Sequence, residues 1–547
     1  MSTATAPMMR DERKIIIASS LGTLFEWYDF FLYGALAAIT GAHFFSAVND
    51  TAAFIFALLT FSVGFAARPF GALVFGRLGD KSGRKYTFLI TIIIMGLSTV
   101  LVGCLPSYST IGIAAPILLI GLRLCQGLAL GGEYGGAAIY VAEHAPVEKR
   151  GFYTSWIQTM AALGLILSLV VIAVTRWIMG EEAFADWGWR VPFLLSAGLL
   201  AVSVWVRMSL DESPVFKKMK AEGTLSKAPL REAYGQWKYL KLGIAGMFGI
   251  IAGQATLWYT AQFYTLFFLT KTLRVDGLTA NILLGVAVAI SAPFYLLFGA
   301  LSDRIGRKPL IVVGCLIAAL AYFPIFKGIT HYTNPALETA RATHPVVVHA
   351  DAAHCAFQFN PVGAASFTSA CDIAKSVLAH NNIDYRNEPL TGDAAFITIG
   401  QTRIDSFDAR ALDATARSEK NRAFRAQVEA ALHDAGHMAA PDPQTMNKPM
   451  IVLLLVAIGL LSVMTYAPVA ATMVELFPAR IRYTAMSIPY HAGNGWIGGL
   501  LPPMAFALVA AHGSVYAGLW YPLAFALISV IIGTLMLPET RGRDITQ

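Results

Sequence analysis

The sequence predicts an all-α polytopic membrane protein. It has twelve transmembrane helices in two six-helix pseudo-repeat bundles, plus a small extracytoplasmic α+β insert between helices 9 and 10. Three observations carry this. The 547 residues are 56% apolar and only 14% charged, whereas soluble domains carry about 25% charged residues. Apolar runs of spanning length recur along the chain. One ten-residue loop pattern occurs twice, at matched places in the two halves.

The runs lie near 15–38, 51–76, 86–104, 111–141, 152–176, 190–207, 240–269, 279–301, 309–328, 449–471, 484–510 and 518–537. Arg10, Arg13 and Lys14 precede the first. That run holds Glu26 and Asp29 and has no small-residue cleavage site, so it reads as a retained first span and not a signal peptide.

Lys and Arg set the orientation. With the N-terminus inside, the inner segments hold 24 basic residues and the outer connections, insert aside, only four: Arg176, Arg190, Lys271 and Arg274. This predicts that both termini are cytoplasmic, and it assigns the net charge of +7 to topology, with no nucleic-acid partner.

The boundaries are 1–207 for the N-terminal bundle, 208–239 for a cytoplasmic linker, 240–329 and 448–547 for the two parts of the C-terminal bundle, and 330–447 for the insert. The insert is charged throughout and has no spanning run. Phe396-Ile397-Thr398-Ile399 alternates as a strand does, and 406–435 has helical periodicity. Cys355 and Cys371 fall here and are a candidate disulfide in an oxidising compartment. Cys104, Cys125 and Cys315 lie in apolar runs.

The repeated loop reads Gly76-Arg77-Leu78-Gly79-Asp80-Lys81-Ser82-Gly83-Arg84-Lys85 after the second run. After the eighth it reads Gly299-Ala300-Leu301-Ser302-Asp303-Arg304-Ile305-Gly306-Arg307-Lys308. Glycine permits tight turns and close helix approach. The aspartate is placed to accept hydrogen bonds, or to pair with an arginine across the seam between halves. Gly76, Gly79, Asp80, Gly83, Arg84, Arg68, Asp303, Arg304, Gly306 and Arg307 are therefore the candidate gate.

This decamer resembles the signature loop of the major facilitator superfamily, over all twelve spans but not the insert. More narrowly, several segments resemble the metabolite:proton symporter family. These are Glu26-Trp27-Tyr28-Asp29-Phe30 with Tyr33-Gly34, Arg68-Pro69-Phe70-Gly71, and the R-x-x-Q-G-x-x-x-G-G-E-Y-G-G pattern from Arg123. Leu210-Asp211-Glu212-Ser213-Pro214 and Glu475-Leu476-Phe477-Pro478 with Arg480 and Arg482 complete the set. The resemblance implies a bacterial inner-membrane transporter that carries an organic acid or zwitterion with protons. The insert departs from that family's pattern.

Ionised residues within spans usually line polar cavities. Here they are Glu26, Asp29, Arg68, Arg123 and Glu133. Glu26 and Asp29 share a helix face, and Arg123 sits at similar depth, so a partnership of Arg123 with one of them is expected. Arg68 and Glu133 are expected to pair, or to couple through the inner gate. Asp29 is the first candidate proton carrier, followed by Glu26 and Glu133. Arg123 is the candidate carboxylate anchor, because a guanidinium binds carboxylate bidentately. Tyr33, Gln126, Gln158, Gln254, Tyr259, Gln262, Tyr490, His491 and Asn494 are candidates to share the cavity.

No phosphate-binding G-x-x-x-x-G-K-[ST] loop occurs, which disfavours a nucleotide-driven pump. No metal site, cofactor or enzymatic constellation is expected. The partners implied are a small solute, the proton and the bilayer, with the monomer as the functional unit. Two other readings remain at this stage. One is a proton-coupled exporter on the same scaffold, disfavoured by a fifth span without proline. The other is a sensor with an external ligand domain.

Overall fold

The computed structural model describes residues 10–46, 50–209, 211–351, 353, 355–356 and 367–546. The start of the N-terminal segment, Leu210 of the linker motif, residues 357–366 of the insert, and the side chains of Arg10, Arg13 and Lys14 lie outside the described set.

The chain is predominantly helical. In the first half run α1 (Arg10–Ala35), α2 (Asp50–Ser82), α3 (Arg84–Cys104), α4 (Ala114–His144), α5 (Arg150–Met179) and α6 (Arg190–Met208). Short helices Pro214–Glu222 and Pro229–Gly235 follow. Then come α7 (Trp237–Thr272), α8 (Gly277–Ile305) and α9 (Arg307–Thr333). Among the described residues, nine helices are long and apolar enough to cross a membrane. Leu320 and Leu535 are 71% and 78% exposed on the outside of the bundle, as expected of side chains that face lipid.

Helix α4 is the hub of the first half because its glycines let neighbours approach to backbone contact. A Cβ at Gly127 would strike the backbone of Gly64, and one at Gly131 the backbone of Arg68 and Ala72, both on α2. Gly132 faces Phe75 and Thr91, and Gly135 faces Tyr483 and Ser487 of the second half. The glycine-rich motif is thus a packing device for three neighbouring helices. Helix α7 carries π-helical turns at Met247–Ile251, Thr260–Tyr264 and Phe268–Thr272, and such turns are frequent near functional sites.

The chain then forms strands β1 (Val346–Ala350), β2 (Arg386–Pro389), β3 (Phe396–Ile399) and β4 (Thr402–Asp405), with helices α10 (Ala370–His380) and α11 (Ala414–Asp434). The sheet order is β2-β1-β3-β4. Strands β1 and β2 are parallel, joined through α10, and the other pairs are antiparallel. Val346, Val348, Ile373, Val377, Leu378, Ile397, Ile399, Phe424 and Val428 make a core of their own. The strand expected at 396–399 is β3. The helix expected from 406 starts only at Ala414, where the Asp413 carboxylate accepts from the N–H of Ala416 as N-cap. Cys355 and Cys371 are bonded, with Cα atoms 5.4 Å apart.

The second half resumes with α12 (Lys448–Leu476), α13 (Arg482–Ala492), α14 (Leu501–His512) and α15 (Trp520–Met536). Helices α13 and α14 are joined through a π-helical stretch, Gly493–Gly498, so the run expected at 484–510 is broken. The halves meet chiefly where α2 packs on α13 and α5 on α8.

Candidate functional site: a two-fold latch and a polar seam

Each repeated loop holds a helix of the opposite half. The Asp80 carboxylate accepts from the backbone N–H groups of Tyr483 (3.2 Å) and Thr484 (2.9 Å), in the first turn of α13. Asp303 accepts from Gly151 (2.8 Å) and Phe152 (2.8 Å), in the first turn of α5. Carboxylates are favoured there because the first N–H groups of a helix have no intrahelical partner and the dipole is positive. The arginines brace the aspartates from their own side: Arg84 lies 3.2 Å from Asp80, and Arg307 2.7 Å from Asp303. Of the two roles open to these aspartates, accepting hydrogen bonds across the seam is the one the structure shows, and their arginine partners come from their own side.

The ion pairs that do cross the seam are Arg150–Glu475 (2.9 Å) and Arg482–Glu143 (2.7 Å). They too are related as repeats. Glu143 also accepts from the Ser213 hydroxyl, and Glu475 from Thr540 (2.7 Å). Glu212 caps α3 through the N–H of Arg84 (3.1 Å), while Glu539 caps α9 through the N–H of Arg307 (3.0 Å). The sequence marks Arg150 only as a topological charge and Arg482 as part of the motif at Glu475, with no partner for either. The signal was present, however: an acid stands seven residues before an arginine at both Glu143–Arg150 and Glu475–Arg482.

Glycine is required at three points of the latch. A Cβ on Gly79 would sit inside the Tyr483 ring. Gly83 and Gly306 adopt φ of +117° and +105°, a region that side chains disfavour. Gly76 lies against the backbone of Thr484. Arg304 is a correction: its side chain is exposed, and only its carbonyl takes part, accepting from Arg541.

The latch yields a direct expectation. Glu475→Gln leaves Arg150 and Arg307 without their shared carboxylate, and removing one partner of a buried pair costs about 3–5 kcal/mol. The cost falls on the latch-closed arrangement. A Ser155→Cys reporter, buried at the α5–α8 seam, should become labelled by maleimide many times faster in that background. An unchanged labelling rate would contradict this role.

Behind the latch, Glu133 pairs with Arg207 (2.5 Å) and accepts from Thr91 (2.8 Å). The expected Arg68–Glu133 pair is not formed. Arg207 ends α6 and lies over the Phe88 ring at 3.6 Å. Its guanidinium occupies the space where a Cβ of Gly22 would be, which is why it reaches so deep. In the sequence Arg207 is only one of the 24 inner basic residues, with no sign of this partnership. Glu26 lies within electrostatic reach of Glu133, Arg207 and Arg68.

Asp29 and Arg123 share a cavity of about 260 Å³ inside the first half, lined also by Gly64, Met95, Gln126 and Leu130. No ion pair joins them. Asp29 accepts from Ser196 (2.6 Å), and Arg123 donates to Gln126 (2.5 Å), which donates in turn to Thr99 (2.7 Å). The guanidinium of Arg123 stacks on Tyr33 at 4.3 Å. Arg123 is thus held within one bundle, away from the seam at which it was expected to meet solute.

Arg68 occupies the seam instead. It is 4% exposed, and its guanidinium lies 4.9 Å from the Phe30 ring centre and 4.4 Å from that of Phe65. Its Nε and Nη2 find no hydrogen-bond acceptor among the described residues. Across the seam, Tyr259, Tyr466, Tyr490 and His491 of the second half lie within its electrostatic reach. The sequence grouped Arg68 with the gate; the structure sets it apart from the latch, among aromatic rings.

Around it stand further polar groups. Tyr490 stacks on Tyr134 at 3.6 Å and shares a hydrogen bond with Tyr466 (2.7 Å). Gln158 donates to Tyr134 (3.0 Å), and Asn494 to the Tyr490 carbonyl (3.0 Å). Both amide atoms of Gln254 and both ring nitrogens of His491 are buried and unbonded among the described residues. Buried polar atoms left in this state are costly, and a bound solute can satisfy them.

A second, larger cavity of about 480 Å³ opens between α5, α7, α8 and α12. Phe31, Trp258, Gln262, Ser291, Tyr295 and Ser462 contribute to its wall. It has no charged lining residue. Phe30 faces Arg68 while its neighbour Phe31 faces this cavity, and Tyr259 and Trp258 divide in the same way. An aromatic partition, with Phe65 on Tyr259 at 5.5 Å and Phe31 against Trp258 at 6.4 Å, separates the two spaces.

Helices with lipid-facing sides, two bundles meeting at a capped latch, and a polar seam behind it define a membrane transporter of the major facilitator superfamily. The chain belongs to the family described as "Sugar (and other) transporter", whose model matches residues 14–238 and 431–547. It is 38% identical over 335 residues to the inner membrane metabolite transport protein YhjE of Escherichia coli (strain K12), covering 60% of this chain and 75% of that one. It is 38% identical over 325 residues to the proline/betaine transporter of the same organism, covering 57% and 64%. Its shikimate transporter is 37% identical over 324 residues, covering 58% and 72%. The proton:xylose symporter XylE bound to 6-bromo-6-deoxy-D-glucose has the same fold, with a TM-score of 0.63 at 16% identity and 98% of both chains covered.

Proposed function

We propose that this chain is a proton-coupled importer of a small organic carboxylate or zwitterion, working as a monomer by alternating access. The observation that carries the reading is the buried guanidinium of Arg68 at the seam, with Nε and Nη2 unbonded and the other half's aromatic and polar groups opposite. A carboxylate satisfies such a fork bidentately. Gln254, His491 and Tyr490 then fix the rest of the solute, and an apolar portion can extend past the aromatic partition. Relatives named for proline/betaine and shikimate support this, since each of those solutes carries a carboxylate.

Coupling is assigned to the Asp29–Arg123 compartment. An acid that carries a proton must be offered a cation in one conformation and denied it in another. Asp29 and Arg123 share one cavity but do not pair with the latch closed. A shift of α1 against α4 would bring them together. Glu26, between Arg68 and the Glu133–Arg207 pair, ties that shift to the solute. In this reading α1, α2 and the broken α13–α14 are the remaining membrane crossings. The latch faces the cytoplasm with both termini, and the insert lies on the opposite side.

The test is uptake into proteoliposomes, screened across labelled mono- and dicarboxylates, betaines and neutral sugars, with and without an inward proton gradient. Gradient-stimulated uptake of a carboxylate or zwitterion is expected. Uptake confined to neutral sugars would contradict the assignment of Arg68.

A further inference from the structure

We propose that the inserted α+β module carries a redox-active cysteine pair, Cys355 and Cys371, that exchanges disulfide with an external dithiol. Topology is the first ground. Strands β1 and β2 are parallel and joined by α10, and both cysteines fall in that crossover: Cys355 five residues beyond the end of β1, Cys371 in the first turn of α10. Reactive and ligand-binding groups of such units gather outside the carboxyl ends of the parallel strands.

The two sulfurs are not equivalent. Cys355 is partly exposed, whereas Cys371 is 2% exposed. Cys371 is the second residue of the 11-residue α10, after the Ser369 cap, so its sulfur lies at the positive end of that helix. Lys375 follows one turn later on the same face. Asp372 fixes the loop to this turn by accepting from the N–H of Ala356 (2.7 Å). The partly exposed Cys355 sulfur therefore admits an attacker that burial denies to Cys371, and the positive end of α10 favours Cys371 as the leaving sulfur, with Lys375 shared between it and the neighbouring Asp372 carboxylate. That is the asymmetry exchange requires, since a better-stabilised thiolate leaves faster.

The step balances. A thiolate of the external dithiol attacks Cys355 Sγ, the Cys355–Cys371 bond breaks, and Cys371 leaves as thiolate. The partner's second thiolate then attacks its own sulfur in the mixed disulfide and expels Cys355. Two electrons pass to the module, the partner becomes a disulfide, and the partner's two protons end on the cysteines or in water.

The other end of α10 is fastened to the transporter. The Asn381 carbonyl accepts from Arg274 (3.1 Å), Asp384 accepts from the N–H of Val515 (3.0 Å), and the Tyr385 N–H donates to Gly513 (2.6 Å). A helix of this length holds its ends about 15 Å apart, so the pair lies about that far from these attachments.

The test uses the full chain in detergent with Cys104, Cys125 and Cys315 replaced by serine. Dithiothreitol at neutral pH, without denaturant, should reduce the pair within minutes, and oxidised dithiothreitol should re-form it. In the same background, Cys371→Ser should leave a Cys355 that reacts with an aromatic disulfide reagent at least tenfold faster than Cys371 does in Cys355→Ser. Reduction that requires denaturant, or preferential reaction at Cys371, would overturn the proposal. Neither readout depends on transport, so its failure leaves the transport reading standing.

Discussion

Arg68→Ala is expected to abolish carboxylate uptake while leaving the protein folded. Hydrogen bonds to a charged group contribute about 1.5–3 kcal/mol each, so losing a bidentate pair predicts roughly a 10²–10⁴-fold fall in kcat/KM. Stability should change little, because Arg68 makes no ion pair among the described residues and contacts Phe30 and Phe65 through their rings. Arg68→Lys should recover only a small part, since a point charge cannot match two carboxylate oxygens. Arg123→Ala, by contrast, removes a group bonded inside its own bundle to Gln126 and stacked on Tyr33. It should impair coupling more than solute affinity. Equilibrium binding of a transported carboxylate to the two variants separates these roles. Loss of binding in Arg123→Ala with retention in Arg68→Ala would reverse the assignment.

Asp29→Asn is the second large effect. A gradient of one pH unit stores about 1.4 kcal/mol per proton, enough for about tenfold accumulation of solute. With asparagine at 29 that accumulation should vanish, while solute exchange across the membrane with no gradient continues. Asparagine keeps the size of the side chain and can still accept from the Ser196 hydroxyl, the bond Asp29 makes at 2.6 Å. A loss confined to driven uptake would therefore be electrostatic in origin. If Asp29→Asn still accumulated solute against its gradient, Glu26 would become the first candidate, since its Oε2 is buried and unbonded among the described residues.

The sequence revealed the architecture more fully than the site, for physical reasons. Apolar runs and charge asymmetry are properties of single segments, so the membrane helices and the repeated decamer could be read directly. The β3 strand was legible because Phe396–Ile399 alternates locally. The partners of Asp80 and Asp303 were not, because backbone N–H groups of a distant helix leave no mark on composition. Arg207 was hidden for another reason: counted at the end of a span it is one more basic residue, and only the missing side chain of Gly22 lets it reach Glu133. Arg68 was assigned Glu133 as partner, and the structure gives Glu133 to Arg207 instead. Depth follows from counting residues along a helix, whereas the direction a residue faces depends on which side α2 turns toward α4, and the glycines of α4 decide that. The cysteine pair was visible as two residues in a polar stretch, but its position at the head of α10 required the strand order.

We propose that solute binding at Arg68 and protonation at Asp29 are linked across the two bundles. The linkage is read from proton movement on adding solute to lightly buffered proteoliposomes with no gradient imposed. External alkalinisation is expected with the natural sequence, in fixed ratio to solute taken up, and none with Arg68→Ala or Asp29→Asn. Solute entry with no proton movement in the natural sequence would contradict it.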